Sequence, residues 1–266
     1  MDLTLKLMTQ VEGVEMRQNI LNWLDSQRII QSLVALLDPT IDSERHYNVA
    51  QLLCDFIKTA RDTQRNSTER NDPDPLLNSL ESVETISLLL DHILGGERIE
   101  SSIVGGIQVL LAILDIQKIC SIPEYDSQNI YNNSSHDDPI EMEERQKIMK
   151  NITSAILTKL KDFHALLLNP PTKAPINTTL GILDPPLGNT RLQVTKLIAA
   201  IIFSNNVELM QELASLGTME VLLDLFFKYQ WNNFLHTQVE SCITAALKVE
   251  CLSQQEDVNI LSRHVR

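Results

Sequence analysis

Apolar positions recur along most of this chain at the three-to-four spacing of one helix face, and polar interruptions divide it into short and long helical segments. Met16, Ile20, Trp23 and Leu24 mark a first helix. A second starts at Ser26 as N-cap and turns Ile29, Ile30, Leu33, Val34, Leu36 and Leu37 inward. It stops at Asp38-Pro39, because proline disfavours helical geometry in the residue before it. A longer helix follows, capped by Asp42 or Ser43, with Tyr47, Ala50, Leu53, Cys54 and Ile57 as its buried stripe.

This short-helix, long-helix unit returns. Thr85 to Leu94 ends at Gly95-Gly96, a favoured helix stop, and Glu97 to Gln117 supplies the longer partner. In a later copy Met219 to Phe227 is the short helix and Asn232 to Leu247 the long one. Each unit is too small to bury its own apolar face. The pattern therefore predicts an all-α, armadillo/HEAT-like α-solenoid whose stacked repeats share one continuous core.

The interruptions differ in kind. Thr63 to Pro75 and Ser121 to Asp138 combine caps, turn formers and charge without apolar periodicity and read as solvated loops. Pro139 to Leu168 reads as one long helix. Asn169 to Asn189 holds five prolines in two clusters around Ile176, Leu180, Ile182 and Leu183. It cannot be a regular helix, and its apolar patch predicts an extended strap lying across the helices.

Composition narrows the function. With 43% hydrophobic residues and only 8 glycines in 266, the chain can bury a substantial helical core and is not all-β. A formal charge of −13 repels phosphate backbones and anionic headgroups, so a protein is expected as partner, not nucleic acid or a membrane. Cys54, Cys120, Cys242 and Cys251 show no metal-ligand spacing and read as reduced core residues. With no secretory leader and no apolar run of about 18 residues, the expected location is the cytoplasm, with a nuclear pool allowed.

Catalytic chemistry finds no support. GxSxG, a glycine-rich phosphate loop and HExxH are absent, and the 6 histidines are scattered singly. A Cys242–His236 nucleophile pair competes poorly with packing and capping. The cluster His136, Asp137, Asp138, Glu141, Glu143 and Glu144 reads as solvated acid at a helix start. Neither cofactor nor metal is expected, and the chain is read as a non-enzyme.

Candidate contact residues concentrate in Leu222 to Glu240, which carries 5 of the 12 aromatic residues beside two asparagines and a histidine. Helical spacing sends Phe226, Phe227 and Phe234 inward. Tyr229, Trp231, Asn232, Asn233 and His236 fall at the break between helices and are the interface candidates, although Asn232 and Asn233 also read as helix caps. Asn189 and Arg191 follow the strap. Arg191 either meets a partner's carboxylate or ties the strap to Asp184 or Glu220. Arg45, His46 and Asn48 occupy a comparable place at the start of the earlier long helix.

The motifs GILDPPLGNTRL and LGTMEVLLDLFFKYQWNNFLHTQVE resemble the SAPS domain of regulatory subunits of protein phosphatase 6. VEGVEMRQNILNWL, ERHYNVAQLLC, DPDPLLNSLE and ALLLNPP extend the likeness over most of residues 1–247, leaving 248–266 as a divergent tail. The resemblance implies a non-catalytic helical-repeat scaffold that binds a metal-dependent serine/threonine phosphatase catalytic subunit and helps recruit ankyrin-repeat proteins and substrates. It also implies a domain whose first helices are missing. A general armadillo-like adaptor for transport or the cytoskeleton is the alternative.

Overall fold

The computed structural model describes residues 2–11, 13–66, 73–114, 139–178, 181–204 and 206–247, with backbone alone at 2, 65, 66, 139–147 and 178. It divides into two compact units, Met1–Asp162 and Phe163–Arg266. The expected loop at Ser121 to Asp138 and the tail 248–266 lie outside the described residues, as do the side chains of the acidic cluster at 136–144.

The first unit contains α1 (Asp2–Thr9), α2 (Val14–Ser26), α3 (Ile29–Ala35), α4 (Ser43–Asn66), α5 (Pro75–Leu80), α6 (Val83–Leu94), α7 (Glu100–Leu114) and α8 (Pro139–Leu157). Packing follows a three-helix period: α2 lies on α5, α3 on α6 and α4 on α7. Helices α1 and α4 continue one row and α6 and α8 another. The expected short-long pairs α3–α4 and α6–α7 are present, and each repeat has a further helix in front of the pair: α2, expected as a separate first helix, and α5, which starts at the end of an expected loop and was not expected as a helix. The fold is thus an all-α helical repeat of the solenoid kind.

Polar bonds between successive repeats record the period directly. Ser79 Oγ donates to Asp25 Oδ1, Gln31 Nε2 donates to Thr85 Oγ1, and His92 Nδ1 pairs with Asp38 Oδ2, each spanning 54 residues; His46 bonds Ser101 across 55. Nearly constant separation means that like positions of neighbouring repeats face each other, even where their residue types differ. At the centre of this stack α7 approaches α4 closely. A Cβ on Gly105 would stand 3.2 Å from the Ala50 Cβ, a tight contact, and one on Gly106 would stand 2.5 Å from Ile93 Cγ2 on α6, so a side chain at Gly106 would force α6 or α7 to shift.

Several local expectations are corrected. Ser26 ends α2, its hydroxyl donating to Trp23 O, and α3 begins instead after Arg28 in the left-handed region at φ 54. On α2 the buried residues are Leu21 and Leu24, while Met16 and Trp23 are exposed. On α4 the buried stripe passes through His46, and Tyr47 faces solvent. Helix α4 runs on to Asn66, so Thr63 to Asn66 is helical, and α5 starts at Pro75 with Asp74 accepting from the Leu76 and Leu77 amides. The long helix expected to Leu168 breaks at Thr158-Lys159 into α8 and α9 (Leu160–Leu168).

The second unit contains the end of α9, a two-stranded hairpin of β1 (Ile176–Thr178) and β2 (Gly181–Leu183), then α10 (Gly188–Phe203), α11 (Val207–Ser215), α12 (Thr218–Lys228) and a last helix α13 (233–247). Antiparallel pairing sets Ile176 opposite Leu183 and Asn177 opposite Ile182. The strap is therefore a hairpin whose apolar side chains, among the described residues, remain outside; Leu180 is not among those residues. Ile176, Ile182 and Leu183 are all exposed, in contrast to the expected patch pressed onto helices. His164 Nδ1 meets Thr218 Oγ1 across 54 residues and the Cys242 thiol donates to Thr195 O, so α9 faces α12 and α10 faces α13. The same repeat is thus built here with the hairpin inserted between α9 and α10.

The corner after α3 is expected to be acid-sensitive. Asp38 accepts from the Thr40 hydroxyl and the Thr40 amide and pairs with His92, and these contacts hold its carboxyl down at about 2 against an ordinary 3.8. A depressed carboxyl contributes stability that is complete above the unfolded value and disappears as pH falls through the folded one. Melting temperature should therefore drop between about pH 4 and pH 2. In Asp38→Asn, followed by circular dichroism, that drop should be shallower and melting at neutral pH lower.

Candidate functional site

The expected contact residues separate by burial into two groups. Arg191 is only 6% exposed, and its donors are turned inward. Nε donates to Leu167 O at 2.7 Å, one Nη to Leu168 O at 3.1 Å and the other to the Tyr229 hydroxyl at 3.1 Å. The Tyr229 hydroxyl in turn donates to Pro185 O at 2.9 Å. Arg191 thus joins the end of α9 to the Tyr229 phenol and reaches the strap only through it, with no bond to Asp184 or Glu220. The guanidinium sits at the C-terminal end of α9, where carbonyls lack helical partners and the dipole is negative, so a planar cation serves both needs.

This arrangement is one case of a recurring latch. Asp42 caps α4, Leu187 precedes α10 as its N-cap and Asn232 caps α13; four residues beyond each stand His46, Arg191 and His236. His46 Nε2 donates to Asp38 O at 2.9 Å and His236 Nε2 to Phe226 O at 3.2 Å. Each latch binds carbonyls at or just beyond the end of the preceding short helix, fixing the turn into the long one. His46 is 0% exposed and its other ring nitrogen accepts from Ser101, so it is unavailable as a contact residue. Arg61 on α4 uses the same chemistry between repeats, donating to Ala112 O and Ile113 O in the last turn of α7 while pairing with Glu81 at 2.6 Å.

Tyr229 is likewise an internal residue, at 5% exposure. The aromatic residues expected inside lie outside: Phe227 is 67% exposed and Phe234 76%, alongside Trp231 at 76%. The reason is local. Phe226 stacks on His236 with ring centroids 4.0 Å apart and meets Phe227 edge-on at 5.4 Å, so Phe226 is held against the latch while Phe227 projects from it. Asn232 Oδ1 accepts from the Leu235 amide, which fulfils the capping reading. Asn233, Asn189, Asn48 and Arg45 are exposed, Arg45 pairing with Asp42 at 3.2 Å.

What remains is a corner formed by the end of α12 and the first turn of α13. It presents Phe227, Trp231, Asn233 and Phe234 to solvent, while Arg191, Tyr229 and His236 hold it from beneath. Such a surface can bind a protein and offers no evident chemistry. The Cys242 thiol is raised to about 12 by burial and Cys54 to about 11, so neither is a thiolate at neutral pH. Among the described residues no group of three or more His, Cys, Asp or Glu side chains is placed to hold a metal, and no helix is long and apolar enough to cross a membrane.

Comparison with known proteins adds the family. The family described as SIT4 phosphatase-associated protein, SAPS, matches residues 1–262. Serine/threonine-protein phosphatase 6 regulatory subunit 2 of Mus musculus is 44% identical over 259 residues, covering 97% of this chain and 27% of that protein. Regulatory subunit 3 of Gallus gallus is 43% identical over 247 residues, 93% of this chain and 27% of its own length. Extragenic suppressor of kinetochore protein 1 of Schizosaccharomyces pombe is 26% identical over 223 residues, 80% of this chain and 25% of that protein. The chain spans about a quarter of the length of the curated relatives it matches. No solved structure gives a significant match. With a match that runs across nearly its whole length, the chain belongs to the SAPS family of SIT4 phosphatase-associated proteins.

Proposed function

We propose that this chain is the non-catalytic, phosphatase-binding portion of a regulatory subunit, and that it holds a serine/threonine phosphatase catalytic subunit of the protein phosphatase 6 type. The observation that carries the reading is the family match over 1–262 together with relatives named as regulatory subunits of that phosphatase. The contact surface is the α12–α13 corner, with Phe227, Trp231 and Phe234 as anchors, Asn233 beside them, and Asn189 at the rim. Arg45 and Asn48 at the start of α4 form a secondary contact. Arg191, Tyr229 and His236 act from behind, positioning the corner.

Regulation then works through placement. A scaffold that holds the enzyme near ankyrin-repeat partners and substrates raises their effective concentration without adding chemistry. The complex resides in the cytoplasm with access to the nucleus. Size-exclusion chromatography of the purified chain with purified catalytic subunit tests the reading: the two should co-elute, and the chain alone should hydrolyse no phosphoprotein. Separate elution, or phosphatase activity in the chain alone, overturns it.

A further inference from the structure

Beyond its aromatic residues, the corner has a charge pattern that specifies what it takes. On α12 the exposed positions Glu220, Leu223, Asp224 and Phe227 recur at helical three-to-four spacing and run on to Trp231 in the turn. They form one solvent-facing stripe, since the buried residues Thr218, Leu222 and Leu225 occupy the other side. Acidic and apolar residues alternate along it. The cation of the same helix end, Lys228, has its ammonium 5.6 Å from the centre of the Tyr229 ring, so its charge is directed onto that aromatic face.

We infer that this stripe binds a basic segment of the phosphatase catalytic subunit, whose Lys or Arg side chains lie over Trp231 and Phe227 and pair with Asp224 and Glu220. The inference rests on the phosphatase-binding reading above and names the chemistry of the contact. Two independent features favour a cation here. Aromatic faces attract positive charge through their quadrupole, and carboxylates one helical turn away attract it directly. An acidic or neutral segment would meet Glu220 and Asp224 without compensation, which gives the surface selectivity as well as attraction. The stripe from 220 to 231 is roughly 16 Å long, enough for about five residues of extended chain or three turns of helix. The net charge of −13 also favours encounter with a basic surface.

The test is a titration of the intact chain with purified catalytic subunit at about 0.05 M and about 0.5 M salt, where screening of exposed charges differs strongly. The wild type should lose at least tenfold in affinity as salt rises. A Glu220→Lys/Asp224→Lys chain should bind at least tenfold more weakly at low salt, lose its salt dependence, and melt at the wild-type temperature. Glu15→Lys/Glu97→Lys, which changes net charge equally at exposed positions of the first unit away from both proposed contacts, should bind like the wild type. Salt-independent binding, undiminished affinity in the α12 variant, or equal loss in both variants would overturn the inference while leaving the phosphatase reading in place. No binding by the wild type would overturn both.

Discussion

Arg191→Ala is expected to destabilise the second unit by about 3 kcal/mol and to lower its melting temperature by roughly 12–24 °C, measured by circular dichroism. The buried guanidinium satisfies Leu167 O and Leu168 O at the end of α9 and engages the Tyr229 hydroxyl, which reaches Pro185 O. Removing it strands two helix-end carbonyls and breaks the link from the end of α9 to the Tyr229 hydroxyl. Hydrogen bonds from a charged donor are worth about 1.5–3 kcal/mol each, though a shared node does not add linearly. Arg191→Lys should recover little, because an ammonium is a point charge and cannot span three acceptors as a planar fork does. Tyr229→Phe, which removes the central hydroxyl alone, should cost about 1 kcal/mol. A chain that melts normally without Arg191 yet binds its partner poorly would mean that Arg191 touches the partner, contrary to the geometry.

Trp231→Ala is expected to behave in the opposite manner. The side chain is 76% exposed, so its removal should change stability by no more than about 0.5 kcal/mol. At the centre of an interface an aromatic anchor of this kind accounts for about 2 kcal/mol or more, which is a loss of affinity for the catalytic subunit of roughly thirtyfold. Combining it with Phe227→Ala should deepen the loss with melting still unchanged. The two measurements together are expected to separate the two residues: Arg191 as support, buried at 6% exposure, and Trp231 as surface, at 76%.

That division marks where the sequence is legible. Apolar periodicity located α3, α4, α6, α7 and α12 because burial of a stripe repeats every three to four residues. It did not distinguish support from surface. His46, Arg191 and His236 are polar residues at the start of long helices, and such residues read as surface unless their partners are known. Those partners are backbone carbonyls in or just after a preceding helix, which carry no side-chain signature. The signal that was available is position: each of the three stands four residues beyond an N-cap. The aromatic residues were inverted for a related reason. Phe226 and Phe227 are adjacent, so only one can face inward, and the stacking of Phe226 on His236 decides which. The hairpin was missed because its prolines excluded helix without naming an alternative, and Ile176 pairs with Leu183 across the strands instead of covering the helices.

Hydrogen–deuterium exchange of the chain with and without the protein phosphatase 6 type catalytic subunit tests the central claim most directly. The account predicts slowed exchange across residues 218–240 on complex formation. Slowed exchange confined to α1–α7, with 218–240 unchanged in a demonstrated complex, would contradict it.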